Sequence, residues 1–207
     1  MRLAVINEIS AADKNGHILT ALDGLGHQVI NAGMQKSEGP ELSYINTGFM
    51  AAVLLNAKAV DYVIGGCGTG QGFLISVMQY PGVTCGHILN PLDAWLFTQI
   101  NGGNCISLAL NQGYGWAGDI NLRFIFEKLF SVQSGLGYPE GRRDAQKASR
   151  LLLDDVNAVS HQAMPSIIER LPAGVVKPLI AFPGFLKILE SYGDKSTGIL
   201  AALKKRA

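Results

Sequence analysis

The residues best suited to chemistry lie in the run Gly65-Gly66-Cys67-Gly68-Thr69-Gly70-Gln71-Gly72, where five glycines and a thiol share eight positions. Missing Cβ atoms let backbone N–H groups come close to an oxygen-bearing ligand. The apolar Val60-Asp61-Tyr62-Val63-Ile64 precedes the run and Phe73-Leu74-Ile75-Ser76-Val77-Met78 follows it. The whole therefore reads as a strand, a glycine turn and a helix start. A cysteine at the positive end of a helix is a better nucleophile or base than a free one. The run matches neither the dinucleotide fingerprint nor the Lys-Ser/Thr phosphate loop, so a ligand smaller than a nucleotide is implied. A small buried hydrophobe is the ordinary role of a free cysteine, and the density of glycine around Cys67 weighs against that role here.

Two further side chains fall where chemistry is expected. Glu8 ends the first strand, where its carboxylate either orients substrate hydroxyls or caps the next helix. His87 ends the fourth strand, where an imidazole either transfers protons or is simply hydrogen-bonded. Cys85 and Cys105 sit among apolar strand neighbours and read as core. The three cysteines have no metal-ligand spacing, and their odd number argues for reduced thiols. His17, His27 and His161 read as surface or helix-face residues, and Trp95 and Trp116 as packing or interface residues. The loop from Asn111 to Asp119 could close over a ligand.

The elements that position these residues alternate. Strands are expected over 3–7, 27–33, 60–64, 83–88 and 105–110. Helices are expected over 10–22, 44–56, from the glycine turn to Tyr80, 91–100 and 119–130, with a loop marked by Gly39-Pro40. This pattern predicts an α/β, doubly wound (Rossmann-like) three-layer sandwich around a five-stranded parallel sheet, with ligands at the C-terminal strand ends. From Gly135 the composition changes. A long helix over 144–171 leaves the sheet, and Pro172, Pro178 and Pro183 break the remainder into short pieces. The expected division is an α/β domain over 1–147 and a helical C-terminal extension over 148–207.

Hydrophobic content of 48%, charged content of 16% and a formal net charge of +1 describe a compact chain with little surface charge, which suggests surface buried between subunits. No long run of like charge calls for nucleic acid. No segment approaches the roughly 20 apolar residues of a membrane span. The first residues read as a strand rather than a signal peptide. A cytoplasmic location is expected, with no metal and no cofactor.

The wording Gly66-Cys67-Gly68-Thr69-Gly70-Gln71-Gly72 resembles the signature of the type B ribose-5-phosphate and galactose-6-phosphate isomerase family. The likeness runs from Arg2 to about Lys147 and includes Tyr44, Ala94, Leu96 and Gln99-Ile100-Asn101-Gly102-Gly103-Asn104. It implies that Cys67 is the base that moves a proton between C1 and C2 of an open-chain sugar phosphate, through a cis-enediolate. The amides of Gly68 to Gly72 would stabilise the developing oxyanion, and Thr69 would add a hydroxyl. The resemblance also implies that Asn101 holds substrate or enediolate oxygens and that Arg142 and Arg143 bind phosphate. Those arginines would reach a neighbouring subunit's site, so a homodimer or dimer of dimers with active sites at the interface is implied.

Three departures narrow the expectation. The family's Asp-His pair becomes Glu8-Ile9, a basic residue after the fifth strand becomes Asn111, and the histidine assigned to ring opening becomes Ile100. Isoleucine transfers no protons. The expected activity is thus aldose–ketose isomerisation, an exchange of oxidation state within one molecule. Its substrate is expected to be a phosphorylated sugar with little cyclic form, such as a tetrulose phosphate, with His87 a candidate replacement for the lost imidazole; otherwise it is a pentose or hexose phosphate. The alternatives are a noncatalytic sugar-phosphate-binding member and, from a third class, a cysteine hydrolase, although no His-Asp/Asn pair can be placed near Cys67.

Overall fold

A computed structural model describes residues 1–36 and 40–207; Gly39 of the expected Gly39-Pro40 loop lies outside the described residues. The first strand, β1 (Arg2–Asn7), leads through a 3-10 stretch (Ile9–Lys14) into α1 (Asn15–Leu22). There follow β2 (Gln28–Asn31), α2 (Tyr44–Asn56), β3 (Tyr62–Cys67), α3 (Gln71–Val77), β4 (Cys85–Ile88) and α4 (Pro91–Leu96). A π-helical turn (Phe97–Asn101) then precedes β5 (Cys105–Ala109) and α5 (Gly118–Leu129). The strands form one parallel sheet in the order β2-β1-β3-β5-β4. Doubly wound topology is what short strand–helix alternation requires, because parallel neighbours need a crossover helix.

Period-2 alternation divides the sheet's side chains between two cores. Ala4, Ile6, Val63 and Cys67 face α2 and α3. Leu3, Val5, Ile64, Ile106 and Leu108 face α1 and α5 through Ile18, Leu22, Leu122, Ile125 and Phe126.

The last third of the chain comprises α6 (Arg143–Ser160), α7 (Met164–Arg170), α8 (Ala173–Ala181), α9 (Phe185–Tyr192) and α10 (Ile199–Lys204). Its function in the fold is legible from α2, where Phe49 to Leu54 are buried without interruption. A helix apolar on every side needs cover on every side. The sheet and α3 supply part of that cover, and α8, with Val176 and Leu179, supplies the rest; Ile168, Phe185 and Leu203 of α7, α9 and α10 continue the same core. Asn46 at the start of α2 donates from Nδ2 to the Gly174 carbonyl at 3.2 Å, fixing the two layers in register.

Several expected boundaries move. The long helix over 144–171 is two helices, because Pro165 opens α7 where its missing N–H costs nothing. Pro178 does not end a helix; α8 continues through it. Lys147 lies within α6. The expected helix over 10–22 begins as a 3-10 stretch.

Candidate functional site

The glycine run divides into two parts. Gly65 and Gly66 are strand residues, and β3 extends to Cys67 rather than ending at Ile64. A Cβ at Gly65 would lie 2.1 Å from the Phe73 ring, and one at Gly66 would lie 2.5 Å from the Leu108 carbonyl oxygen. Gly65 serves helix-on-sheet packing, and Gly66 the close approach of the β5 backbone and the Leu110 side chain. The turn proper is Gly68 to Gly70, with Gly70 at φ +76°, where a side chain would be strained. Cys67 is the last residue of β3, pairs with Ala109 across the ladder and is only 6% exposed. Tyr44, at the start of α2, lies against Gly72, whose Cβ would meet the Tyr44 ring at 2.9 Å.

Beside this turn, β1 and β3 send their chains to opposite faces of the sheet, which makes their shared edge the topological switch point. Glu8 stands there, buried. It does not cap the following 3-10 stretch; its carboxylate accepts a short hydrogen bond from the Ser10 hydroxyl. Ser10 Oγ in turn accepts the Gly68 N–H at 3.0 Å. Asn111 Nδ2 donates to the Ser10 carbonyl at 2.7 Å and closes the group.

Most polar groups of the turn have partners within the chain. The carbonyl of Gly68 accepts from the N–H groups of Asn111 and Gln112, both at 2.9 Å. That of Thr69 accepts from His87 Nε2 at 3.1 Å, and that of Gly70 from Ser107 Oγ at 2.5 Å. The Gly70 N–H donates to the Cys67 carbonyl at 3.3 Å, and the Gln71 N–H to Thr69 Oγ1 at 3.3 Å. The amide cradle is therefore smaller than the glycine count suggests: of the stretch from Gly68 to Gly72, only the Thr69 and Gly72 N–H groups stand outside these bonds. Thr69 is exposed. Because a carbonyl only accepts, His87 carries its proton on Nε2 in this arrangement.

Asn101, Arg142 and Arg143 are elsewhere. Asn101 ends the turn that precedes β5, and the following Asn104 donates its N–H to the Thr84 carbonyl below β4. That is the N-terminal edge of the sheet, opposite the Cys67 edge. Asn101 instead lines a 260 Å³ cavity with Lys147, Arg150 and Asp154. Arg150 ties α6 to this edge by donating to the carbonyls of Ile100, at 2.8 Å, and Gly135. Arg142 is exposed, and Arg143 pairs with Glu140 at 3.0 Å. The site residues read from the sequence thus form two groups. One is Glu8, Cys67, Gly68, Thr69, Gly70, Gly72 and His87. The other is Asn101 with Arg142, which ends the 3-10 turn before α6, and Arg143, which begins α6.

Neither Ser10 nor Ser107 belongs to a motif in the sequence. Ser107 carried a signal, a hydroxyl at the centre of the apolar strand Cys105-Ile106-Ser107-Leu108, where a buried polar group needs a partner. The loop after β5 is pinned to α1 by Tyr114, whose hydroxyl lies 2.6 Å from His17 Nδ1. Burial, and then Asp119 and Asp13, push the Tyr114 phenol up to about 12. Among the described residues, no group of three or more His, Cys, Asp or Glu side chains could hold a metal ion, and no helix is long and apolar enough to cross a membrane.

Comparison with known proteins supplies the context for this geometry. The family model described as Ribose/Galactose Isomerase matches residues 3–129. A solved structure described as ribose-5-phosphate isomerase LacAB_rpiB from Vibrio parahaemolyticus is 41% identical, covers 100% of this chain and 99% of its own, and superposes with a TM-score of 0.95. A 4-deoxy-L-threo-5-hexosulose-uronate ketol-isomerase, solved with a tartrate, is 34% identical over 100% of this chain and 99% of its own, with a TM-score of 0.94. Both extend through α10. A ribose 5-phosphate isomerase from Thermotoga maritima is 22% identical, covers 71% of this chain and 97% of its own, and has a TM-score of 0.58, a likeness of fold. No protein of curated function matches the chain.

Proposed function

The chain belongs to the ribose/galactose isomerase family, and from that premise we propose that it interconverts the aldose and ketose forms of an open-chain sugar with an anionic end, using Cys67 as the base. The observation that carries this reading is the position of Cys67. It sits at the C-terminal end of β3, beside the switch point, on a turn whose carbonyls are all engaged. Cys67 as thiolate takes the proton from the carbon beside the carbonyl and leaves a cis-enediolate; the remaining hydroxyl proton passes from one enediolate oxygen to the other, and the Cys67 proton, or one from solvent, returns to the neighbouring carbon. The Thr69 N–H and hydroxyl and the Gly72 N–H face the developing oxyanion.

A second copy of the chain completes the site in this proposal. Cys67 and Asn101 occupy opposite sheet edges, and one protomer does not bring them together. A partner placed with its Asn101 edge over Cys67 would also bring Arg142, Arg143 and Lys147 to the substrate's anionic group. The outer side of α6 supports this: Leu152 is 65% exposed and Val159 85%, a helix-spaced apolar pair left uncovered by the described residues. We also assign the protein to the cytoplasm, on its three free thiols.

Two substrate classes follow from specific observations. Ile100 in place of a ring-opening histidine favours a sugar phosphate without a stable ring, such as a tetrulose phosphate. The full-length likeness to a hexosulose-uronate ketol-isomerase favours a uronate, whose carboxylate the same cations would hold. The test is deuterium incorporation from D₂O into erythrulose 4-phosphate, ribose 5-phosphate and 4-deoxy-L-threo-5-hexosulose uronate, with wild type and Cys67→Ala. The expected result is exchange by wild type with one of the two open-chain substrates and none with Cys67→Ala. Binding without exchange in both proteins would establish the noncatalytic alternative instead.

A further inference from the structure

The carbonyl side of the Cys67 turn is held by two side chains that stand next to each other on neighbouring strands. His87 of β4 and Ser107 of β5 are directly paired in the parallel ladder. His87 Nε2 lies 3.1 Å from the Thr69 oxygen, and Ser107 Oγ lies 2.5 Å from the Gly70 oxygen. A peptide unit is planar, with its C=O and the next residue's N–H pointing in opposite directions. Fixing one therefore aims the other.

The consequence can be followed atom by atom. Holding the Thr69 carbonyl aims the Gly70 N–H, which donates at 3.3 Å to the Cys67 carbonyl, an oxygen that also accepts the Leu110 N–H at 3.0 Å. Holding the Gly70 carbonyl aims the Gln71 N–H, which donates to Thr69 Oγ1 at 3.3 Å. His87 thus acts through one peptide plane on the backbone of Cys67, and Ser107 through the next plane on the hydroxyl of Thr69. Gly70 is required between them, since a Cβ there would meet His87 Nε2 at 2.5 Å.

Resting on the isomerase reading above, we propose that His87 and Ser107 are positioning residues that set the Cys67 thiol and the Thr69 hydroxyl through the peptide planes of the turn. His87 then replaces no lost imidazole. Its Nε2–H is committed to a carbonyl, and its contribution is a fixed donor rather than a mobile proton.

The experiment compares His87→Ala, His87→Gln and Ser107→Ala with wild type. Glutamine can place an N–H near the position of Nε2, so it restores the donor without restoring an acid–base group. Deuterium uptake by the backbone segment 67–72, read by mass spectrometry, tests the clamp without any substrate. His87→Ala and Ser107→Ala should exchange faster, and His87→Gln should stay near wild type. On the substrate that wild type turns over, His87→Ala should lower kcat about tenfold to a hundredfold, the effect of a misplacement of order 1 Å. KM should change much less, the pH–rate profile should keep its shape, and His87→Gln should recover most of the loss. Unchanged uptake in both alanine variants would overturn the clamp. Faster uptake with unchanged kcat would overturn the positioning role. A pH profile that loses a limb in His87→Ala without rescue by glutamine would make His87 an acid–base catalyst and overturn the proposal. Absence of wild-type turnover on every sugar would count against the isomerase reading alone, since the uptake result stands without it.

Discussion

Cys67 and Asn101 lie at opposite ends of the central sheet. Cys67 closes β3 opposite Ala109, whereas Asn101 precedes the start of β5 opposite Val63. At about 3.3 Å per strand residue the two edges are separated by about 13 Å along the strands alone. If the active site is shared between copies, Cys67→Ala and Asn101→Ala should each be inactive as pure proteins. Refolded or co-expressed together, they should regain about a quarter of wild-type activity, the share of sites that random pairing into two-fold dimers leaves intact. Activity assays of the mixture decide this; no recovery would place both residues' functions within one protomer.

The uncovered side of α6 gives a second test. Leu152 and Val159 are spaced for one helix face and are largely exposed. Replacing both with Glu places charge where an apolar contact between copies is proposed, and it should shift the protein toward monomer in sedimentation velocity while leaving its circular dichroism unchanged. An unaltered oligomeric state would show that this face lies outside the interface.

Gly65 is a packing glycine. Alanine there puts a methyl group within 2.1 Å of the Phe73 ring, and overpacking of this kind costs about 1–3 kcal/mol. Urea unfolding should show that loss, and Phe73→Leu in the same chain should return part of it. If Gly65→Ala unfolds at the wild-type midpoint, the strand and α3 are not in the contact described.

The thiols should react unequally. Burial, followed by the hydrogen bond and charge of Cys85, pushes the Cys105 thiol well up. Cys105 should therefore resist alkylation at pH 8 until the chain is denatured. Peptide mapping after iodoacetamide treatment checks this, and modification of Cys105 in the native protein would contradict it.

Asp194 provides an acid-range prediction. Hydrogen bonds from the Ser196 hydroxyl and N–H, then Lys58 at 3.1 Å, hold its carboxyl down at about 2. A depressed carboxyl contributes stability above its unfolded value, near 3.8, and loses it as pH falls toward 2. Wild type should therefore lose more stability between about pH 4 and 2 than Asp194→Asn does. Melting temperatures across that window measure the difference; parallel curves would remove Asp194 as a contributor.

Much of this protein was legible in the order of its residues. Strand and helix patterning is local, set by apolar periodicity and by glycine and proline, so the α2 boundaries at Tyr44 and Asn56 and the five strands could be read directly. The same locality explains the errors. Pro178 lies inside α8, where the sequence pattern predicts a break, and the uninterrupted burial of α2 follows from α3 and α8 packing over it, which no periodicity records.

The site divides in the same way. Residue order alone places a thiol in a glycine-rich turn between a strand and a helix, and so sets the kind of chemistry available. Packing of distant segments is what gives Gly65 and Gly66 their packing role, lets Ser10, His87 and Ser107 take up polar groups of the turn, and puts Asn101 at the far edge. The physical reason is register: β1, β4 and β5 reach β3 through crossovers of different length. Which side chain meets which carbonyl is then fixed by strand pairing between residues distant in the chain.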